Sequence, residues 1–450
     1  KARSATLGTA SSPQTRIGSL NLVTIPRRLP FFYGWVMVGV AFLGSGIGSG
    51  VAIWGASVFI LPMTEELGWT RATFFIAFTV RSVIVGLASP VIGPWLDTRN
   101  GPRFLAVTGA VVLTVSMVAL SRVEHLWQFI LLYGVCGAYA ELAGGFALAN
   151  VLIPKWFVRR RGRALGISIM GVGLGALVFP GAVSGLVAQV GWRDAWIWFG
   201  LTVGIITFLL SFLVRTRPED IGLLPDGDAM PTTASNVSDG KDLLDPEPAL
   251  TRYQALRTPA FWMLLISFSF VGFGITGFQA NWLPFLLESD FSAAQASMLV
   301  AIYGFVSGVS RPIWGLVGEK ISPRWLMAMS TIVTSGIIVL FLLVTSISGL
   351  SLLMAAGGLS MGGYLILRAL LSANYFGRTH LGAVNSMIRP FGMGAGAVGP
   401  LLFGFLYDLE GNYVIPFLVA SAAWGIAGFV VLLASPPKNH HLMNKPGDSD

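Results

Sequence analysis

Charge is what this sequence has least of. Only 11% of its 450 residues are Asp, Glu, Lys or Arg, against about 25% in a soluble globular domain. A water-exposed surface cannot be built from so few charges, which places the chain among membrane proteins. Cysteine is nearly absent. Cys136 stands alone inside an apolar run, so no intrachain disulfide can form. The four histidines are scattered, apart from His440 and His441. They give no metal-ligand spacing, and no cluster of nucleophile and base appears. Neither an enzyme nor a metal or organic cofactor is expected. The net charge of +8 raises nucleic acid as a partner, but the basic residues sit between apolar segments, where topology accounts for them better. No apolar core precedes Phe31, and the Ser/Thr-rich, basic first thirty residues are read as a cytoplasmic tail, not a cleaved signal.

What is present is apolar length. Runs able to cross about 30 Å of hydrocarbon fall near 32–63, 71–96, 103–122, 126–153, 164–191 and 195–214, and again near 259–287, 293–318, 325–347, 350–375, 382–407 and 413–434. The expected fold is an all-α membrane protein of twelve transmembrane helices in two six-helix halves. Its divisions are a tail at 1–30, a first half at 31–214, a polar linker at 215–257, a second half at 258–435 and a tail at 436–450. Of the 29 Lys and Arg, 22 lie in the tails, the linker and the loops on the same side, whereas the opposite loops hold only Arg71, Arg122 and Arg193. The positive-inside rule then puts both termini in the cytoplasm of a multi-pass cell-membrane protein, the inner membrane in a bacterium. The halves repeat: "SPVIGPWLD" (89–97) aligns with "RPIWGLVGE" (311–319), and "KWF" (155–157) with "NYF" (374–376). An internal duplication of six spans is a transporter architecture, with its site at the interface of the halves.

Five charged side chains remain inside the spans: Arg81, Arg311, Arg368, Arg389 and one acid, Glu141. An arginine at the centre of a membrane helix costs roughly 3 kcal/mol on insertion scales, so three unpaired ones would cost about 8–10 kcal/mol. Water, backbone carbonyls or a bound anion must compensate. At 1.5 Å per residue, Arg311, Arg368 and Arg389 are expected at one level, about 12 Å from the cytoplasmic ends. Arg81 and Glu141 are expected to pair at about 20–24 Å. Polar companions lie one turn away on the same faces: Ser307 and Tyr303 for Arg311, Tyr364 for Arg368 and Asn385 for Arg389. Gln279 and Asn281 in the seventh span join this candidate site. Pro312 and Pro390 free the carbonyls of Gly308 and Ser386, which are expected to accept from the neighbouring arginines. The glycines of "GSGIGSG" (44–50) read as packing surfaces, and the basic "RRRGR" (159–163) as a topology signal that also touches anionic lipid.

These residues resemble the major facilitator superfamily. "GPWLDTRNGPR" (93–103) is similar to its loop motif between spans two and three, with one extra residue between Asp97 and Gly101, and "GLVGEKISPR" (315–324) is similar to the second copy. The resemblance implies a conformational gating role for Asp97, Arg103, Glu319 and Arg324. Within the superfamily, "FYGW" (32–35), "ELGWTRA" (66–72), "WFVRRRGRALGI" (156–167) and "RPEDIGLLPDG" (217–227) resemble the monocarboxylate carrier and oxalate:formate antiporter branch. There the span-eight arginine binds the substrate carboxylate, a role that falls on Arg311. The chain departs from animal carriers in having Ser307 where they have an acid, and no charge between Arg28 and Glu65.

The expected function is secondary transport of small organic anions, mono- or dicarboxylates, by alternating access. Arg311 is the anchor, with Arg389, Arg368 and Arg81 holding remaining charge. Proton-coupled symport through Glu141 is the first expectation. The alternatives are anion exchange, drug export by the same fold, and a non-transporting membrane sensor. The expected partners are the anion, protons and membrane lipid, with the chain a monomer.

Overall fold

A bilayer offers no partner to a free N–H or carbonyl, so each crossing segment must satisfy its own backbone. The computed structural model describes residues 31–228, 250–289 and 291–437, and no strand occurs among them. The tail at 1–30, most of the tail at 436–450 and positions 229–249 of the linker lie outside the described residues. Eleven stretches of the described residues are long and apolar enough to cross a membrane. One of them, Arg161–Leu213, holds 53 residues, about 80 Å of helix, far more than one crossing. It breaks at Gly191, whose φ of +78° and ψ of 166° end one helix and start the next. Glycine tolerates that positive φ without a steric cost.

Twelve crossings result. In the first half they are α1 (Gly34–Leu67), α2 (Thr73–Asp97), α3 (Gly101–Leu120), α4 (Leu126–Trp156), α5 (161–190) and α6 (192–213). In the second they are α7 (Pro259–Glu288), α8 (Ala294–Lys320), α9 (Pro323–Leu343), α10 (Ile347–Phe376), α11 (Leu381–Glu410) and α12 (Val414–Leu433). Several starts are capped by hydroxyls, as at Thr258, which accepts from Phe261 N at 3.3 Å, and Ser346, which accepts from Gly349 N at 3.2 Å. Two members are irregular. α1 carries a π-helical stretch, Gly50–Trp54, and a 3-10 turn, Ala56–Phe59. α4 opens with a short α segment, Leu126–Phe129, turns π-helical over Ile130–Cys136, returns to α over Gly137–Ala143, breaks at Gly144 and resumes as Gly145–Trp156. π-turns of this kind gather at functional sites, and Glu141 lies on the Gly137–Ala143 segment.

Small residues set the close approaches within each half. A Cβ on Gly145 would stand 2.1 Å from the carbonyl carbon of Gly44, and one on Gly46 would stand 2.9 Å from the Gly171 oxygen. Backbone contact of this kind is what draws apolar helices together where lipid removes the hydrophobic drive. The "GSGIGSG" glycines do form packing surfaces, with Gly50 against Phe179, although Gly48 meets nothing within 4 Å.

The halves meet along two seams, α5 against α8 and α2 against α11. A Cβ on Gly315 would lie 2.2 Å from the Gly162 oxygen, one on Gly166 would lie 2.7 Å from Pro312 Cα, and one on Gly93 would lie 2.3 Å from Ser386. The contact face of α5 continues from Gly173 to Leu177 and Ser184, both exposed, and that of α8 from Gly308 to Gly304 and Ala301, also exposed. On α2 the face runs on to exposed Ser82 and Thr79. The two halves are therefore joined at the end carrying Asp97 and Lys320 and diverge toward the other.

Replacing Gly145 by Ala is expected to destabilise the first half by about 1–3 kcal/mol, read as a lower unfolding temperature of the detergent-purified protein. Gly39→Ala, where a Cβ meets nothing within 4 Å, is expected to leave that temperature unchanged.

Candidate functional site

Two acids close the joined end. Asp97 ends α2, and its carboxylate accepts from the Gly382 and Ala383 amides at 3.0 and 2.8 Å, on the first turn of α11 in the opposite half. A helix N-terminus presents unpaired N–H groups and a positive dipole end, which suit a carboxylate. Lys155, 1% exposed, supplies the countercharge from α4 at 2.7 Å and donates its second bond to the Leu96 carbonyl at 2.9 Å. Glu319 at the end of α8 repeats the arrangement from the other side. It accepts from Arg163 N at 2.8 Å, at the start of α5, and from the Arg163 guanidinium at 3.1 and 2.8 Å. Arg378 adds a bond to the Lys155 carbonyl at 3.1 Å and an ion pair with Glu219 at 2.9 Å, while buried Arg161 donates to Asn374 across the halves at 2.9 Å. Ser89 and the Ser386 carbonyl, 3.1 Å apart, close the α2–α11 seam one turn further in.

These contacts bear on three expectations. Arg103 and Arg324 do not span the halves. Arg103 lies over the Phe212 ring at 5.8 Å, and Arg324 donates to the Ala434 carbonyl at 3.4 Å, so each braces its own half. Both sit on the first turn of a helix, past the loop, and their side chains turn toward α6 and α12. The "RRRGR" run, read as a topology signal, also contributes Arg161 and Arg163 to the closure. The carbonyl freed by Pro390 accepts from Ser89, not from an arginine. Lys155, Arg163, Arg378 and Ser89 escaped the sequence reading. The alignment of "KWF" with "NYF" was the one available signal, since it set Lys155 and Asn374 at equivalent places.

Above the closure lies the charged cluster. Arg81 Nε donates to Glu141 Oε2 at 3.1 Å, and Arg389 Nη2 donates to Glu141 Oε1 at 2.8 Å. One carboxylate thus serves a guanidinium of its own half and one of the other. Arg81, with its side chain 7% exposed, is further fixed over the Tyr133 ring at 5.1 Å, whereas Glu141 and Arg389 keep 27% and 22% of their side-chain surface. The expected separation of Arg389 from the Arg81–Glu141 level is therefore wrong. Counting along straight helices ignores the reach of an arginine and the break at Gly144, which resets α4.

Arg311 has no carboxylate partner among the described residues. Its Nη1 donates to the Ile169 carbonyl of α5 at 2.7 Å, and its Nε finds no acceptor among them. It is 7% exposed and lies in the α5–α8 seam, so in this conformation it does not face an open cleft. The Gly308 carbonyl was expected to take its proton, and Ile169 does so instead. Arg368, half-buried, lies over the Phe268 ring at 5.0 Å, with Tyr364 edge-on to the same ring at 6.3 Å. Gln279 donates to the Tyr303 hydroxyl at 3.2 Å. Asn281 spends its amide on its own helix, at the Gly277 carbonyl, and Asn385 makes no side-chain hydrogen bond among the described residues. Arg81, Glu141 and Arg389 come together, then, while Asn281 and Asn385 join no cluster.

The far ends are clamped within each half. Glu66 accepts from Trp192 at 2.6 Å and pairs with Arg193 at 3.0 Å. Glu288 accepts from Tyr407 at 3.0 Å and Tyr413 at 3.2 Å. Burial, and then the Glu288 carboxylate, push the Tyr413 hydroxyl up to about 12. These contacts tie helices of the same half to one another.

Comparison with known proteins fits this arrangement. The sequence model of the Major Facilitator Superfamily matches residues 40–291 and 281–447. The oxalate:formate antiporter of Oxalobacter formigenes is 25% identical over 379 residues, 82% of this chain and 85% of that one. Monocarboxylate transporter 13 of Bos taurus is 24% identical over 413 residues, 90% of this chain and 89% of that one. A crystal structure of the E. coli fucose:proton symporter superposes with a TM-score of 0.65 at 13% identity, covering 89% of this chain and 98% of that one. The last likeness is one of fold.

Asp97→Asn leaves Lys155 buried without its countercharge, a loss of about 3–5 kcal/mol for a broken buried pair. Spin labels at positions 99 and 320 are expected to move apart in this variant and to keep their spacing in Asp97→Glu. An unchanged distance in Asp97→Asn would show that the acid does not hold the halves together.

Proposed function

The chain belongs to the Major Facilitator Superfamily, and on that premise we propose that it is a secondary active transporter of small organic anions, mono- or dicarboxylates, working by alternating access. The observation that carries the proposal is the charge imbalance at the interface. Of the four guanidiniums within the spans, Arg81 and Arg389 share the one carboxylate, Glu141, and Arg311 and Arg368 have none among the described residues. A cleft with that excess focuses a field that selects anions, and the arginine fork suits a carboxylate. The names of the antiporter and monocarboxylate relatives agree with this chemistry.

The basic loops make the joined end the cytoplasmic one, so the conformation described faces outward in the cell membrane, with both termini inside and the chain acting as a monomer. Arg368 and Arg389 lie about eight residues from the joined ends of α10 and α11, so an anion entering from the open end reaches them deep between the halves. Arg311 waits in the α5–α8 seam, bonded to the Ile169 carbonyl across the halves. A carboxylate that draws Arg311 from Ile169, or Arg389 from Glu141, removes bonds that tie the halves together. An empty carrier keeps both bonds. Reorientation is thereby linked to occupancy, and this favours anion exchange. Proton symport is the second reading, because Glu141 is the one mid-bundle carboxylate among the described residues and keeps access to water.

The test is uptake of a labelled monocarboxylate into proteoliposomes. Exchange predicts uptake that depends on preloaded anion, without alkalinisation of the medium. Symport predicts alkalinisation that is lost in Glu141→Gln. Arg311→Ala removes charge-assisted hydrogen bonds worth about 1.5–3 kcal/mol, so affinity is expected to fall about 10- to 150-fold. Arg311→Lys should recover part of it. Absence of carboxylate transport, or full activity in Arg311→Ala, would overturn the proposal.

A further inference from the structure

The two oxygens of Glu141 are held as a bound carboxylate would be held, one by Arg81 and one by Arg389. We propose that Glu141 is a tethered stand-in for a second substrate carboxylate, and that it sets the preference of this carrier for monocarboxylates over dicarboxylates. The inference rests on the anion-transport reading above.

The geometry separates Glu141 from a merely structural counter-ion in three ways. Its partners are unequal. Arg81 is enclosed, over Tyr133 and against Gly137, where a Cβ would stand 3.3 Å from Nη1, while Arg389 has Glu141 as its one hydrogen-bond partner among the described residues. The Arg389–Glu141 pair bridges the halves and keeps part of its surface exposed, so it lies at the interface that must open for cargo to cross. Each guanidinium gives Glu141 a single hydrogen bond, which leaves most of the five donors of each unspent. A substrate with one carboxylate can add to Arg368 or Arg311 without disturbing Glu141. A substrate with two brings a second negative group to a place already filled by one. Like charges crowded there repel, and the site discriminates by repulsion as well as attraction.

Removing the tethered charge should invert the preference. Glu141→Gln leaves Arg81 and Arg389 without a carboxylate, and a dicarboxylate then supplies it. The probes are propionate and malonate, matched in carbon number, measured as competitors of labelled monocarboxylate exchange by the full-length protein in proteoliposomes. The wild type should be inhibited more strongly by propionate. In Glu141→Gln the malonate-to-propionate affinity ratio should rise about tenfold or more, the scale of a close charge pair at an interface. Glu141→Asp should keep the wild-type order. Where Glu141→Gln alone does not give folded protein, Glu141→Gln combined with Arg81→Gln restores the charge balance, and the ratio should again rise, by less. A wild type that prefers malonate, or a ratio that stays within twofold in a folded Glu141→Gln protein, overturns this inference and leaves anion transport standing. A wild type that responds to neither probe overturns both.

Discussion

Glu141 is a single carboxylate held between two guanidiniums, and its two oxygens reach one arginine in each half of the molecule. Burying an ion pair in a low-dielectric interior gains little stability against a well-packed apolar alternative. The constellation is therefore poorly explained as a device for holding the fold. It makes sense as a charge distribution that is complete only when something else arrives. With one acid against Arg81, Arg311, Arg368 and Arg389, the interface between the halves stays positive, and the deficit lies where cargo would cross.

At the joined end the two acids that face the opposite half are both paired with a cation. Asp97 and Glu319 come from equivalent places in the duplicated halves, and each sits on the first turn of the opposite half's helix. Their cations differ: Lys155 comes from within the same half as Asp97, while Arg163 comes from the half opposite Glu319. Duplication thus preserved the helix-terminus contact and let the countercharge drift. The ends that diverge are clamped only inside each half, by Glu66 and Glu288. Bonds across the interface can open while bonds within each half persist, which is the mechanical requirement for rocking two rigid bodies.

Much of this was legible in the sequence. The twelve crossings are readable because the bilayer demands about 20 apolar residues each time, and the separate runs at 164–191 and 195–214 already divide the long helical stretch near Gly191. The pairing of Arg81 with Glu141 followed from their depths along two helices. The rest depends on what two loops or two seams do when brought together, and no periodicity encodes that. Lys155 looked like a helix-end basic residue, and Arg163 like one member of a topology run. Arg103 and Arg324 matched a motif, yet their positions on the first turn of α3 and α9 aim them away from the interface. Arg389 was misplaced by a straight-helix count that could not foresee the break at Gly144. Arg311 was expected to find a backbone carbonyl on its own helix, at Gly308, and lies instead in the seam, held by the Ile169 carbonyl of the opposite half that no local rule would have selected.

The central claim is that the missing charge is supplied by an anion, and the direct measurement is the unfolding temperature of the purified protein titrated with propionate and, separately, with its neutral isostere propionamide. Binding to the folded state alone raises stability in step with ligand concentration. The account predicts that propionate raises the temperature in this way and that propionamide leaves it unchanged. Equal stabilisation by both compounds, or none by propionate, would contradict it.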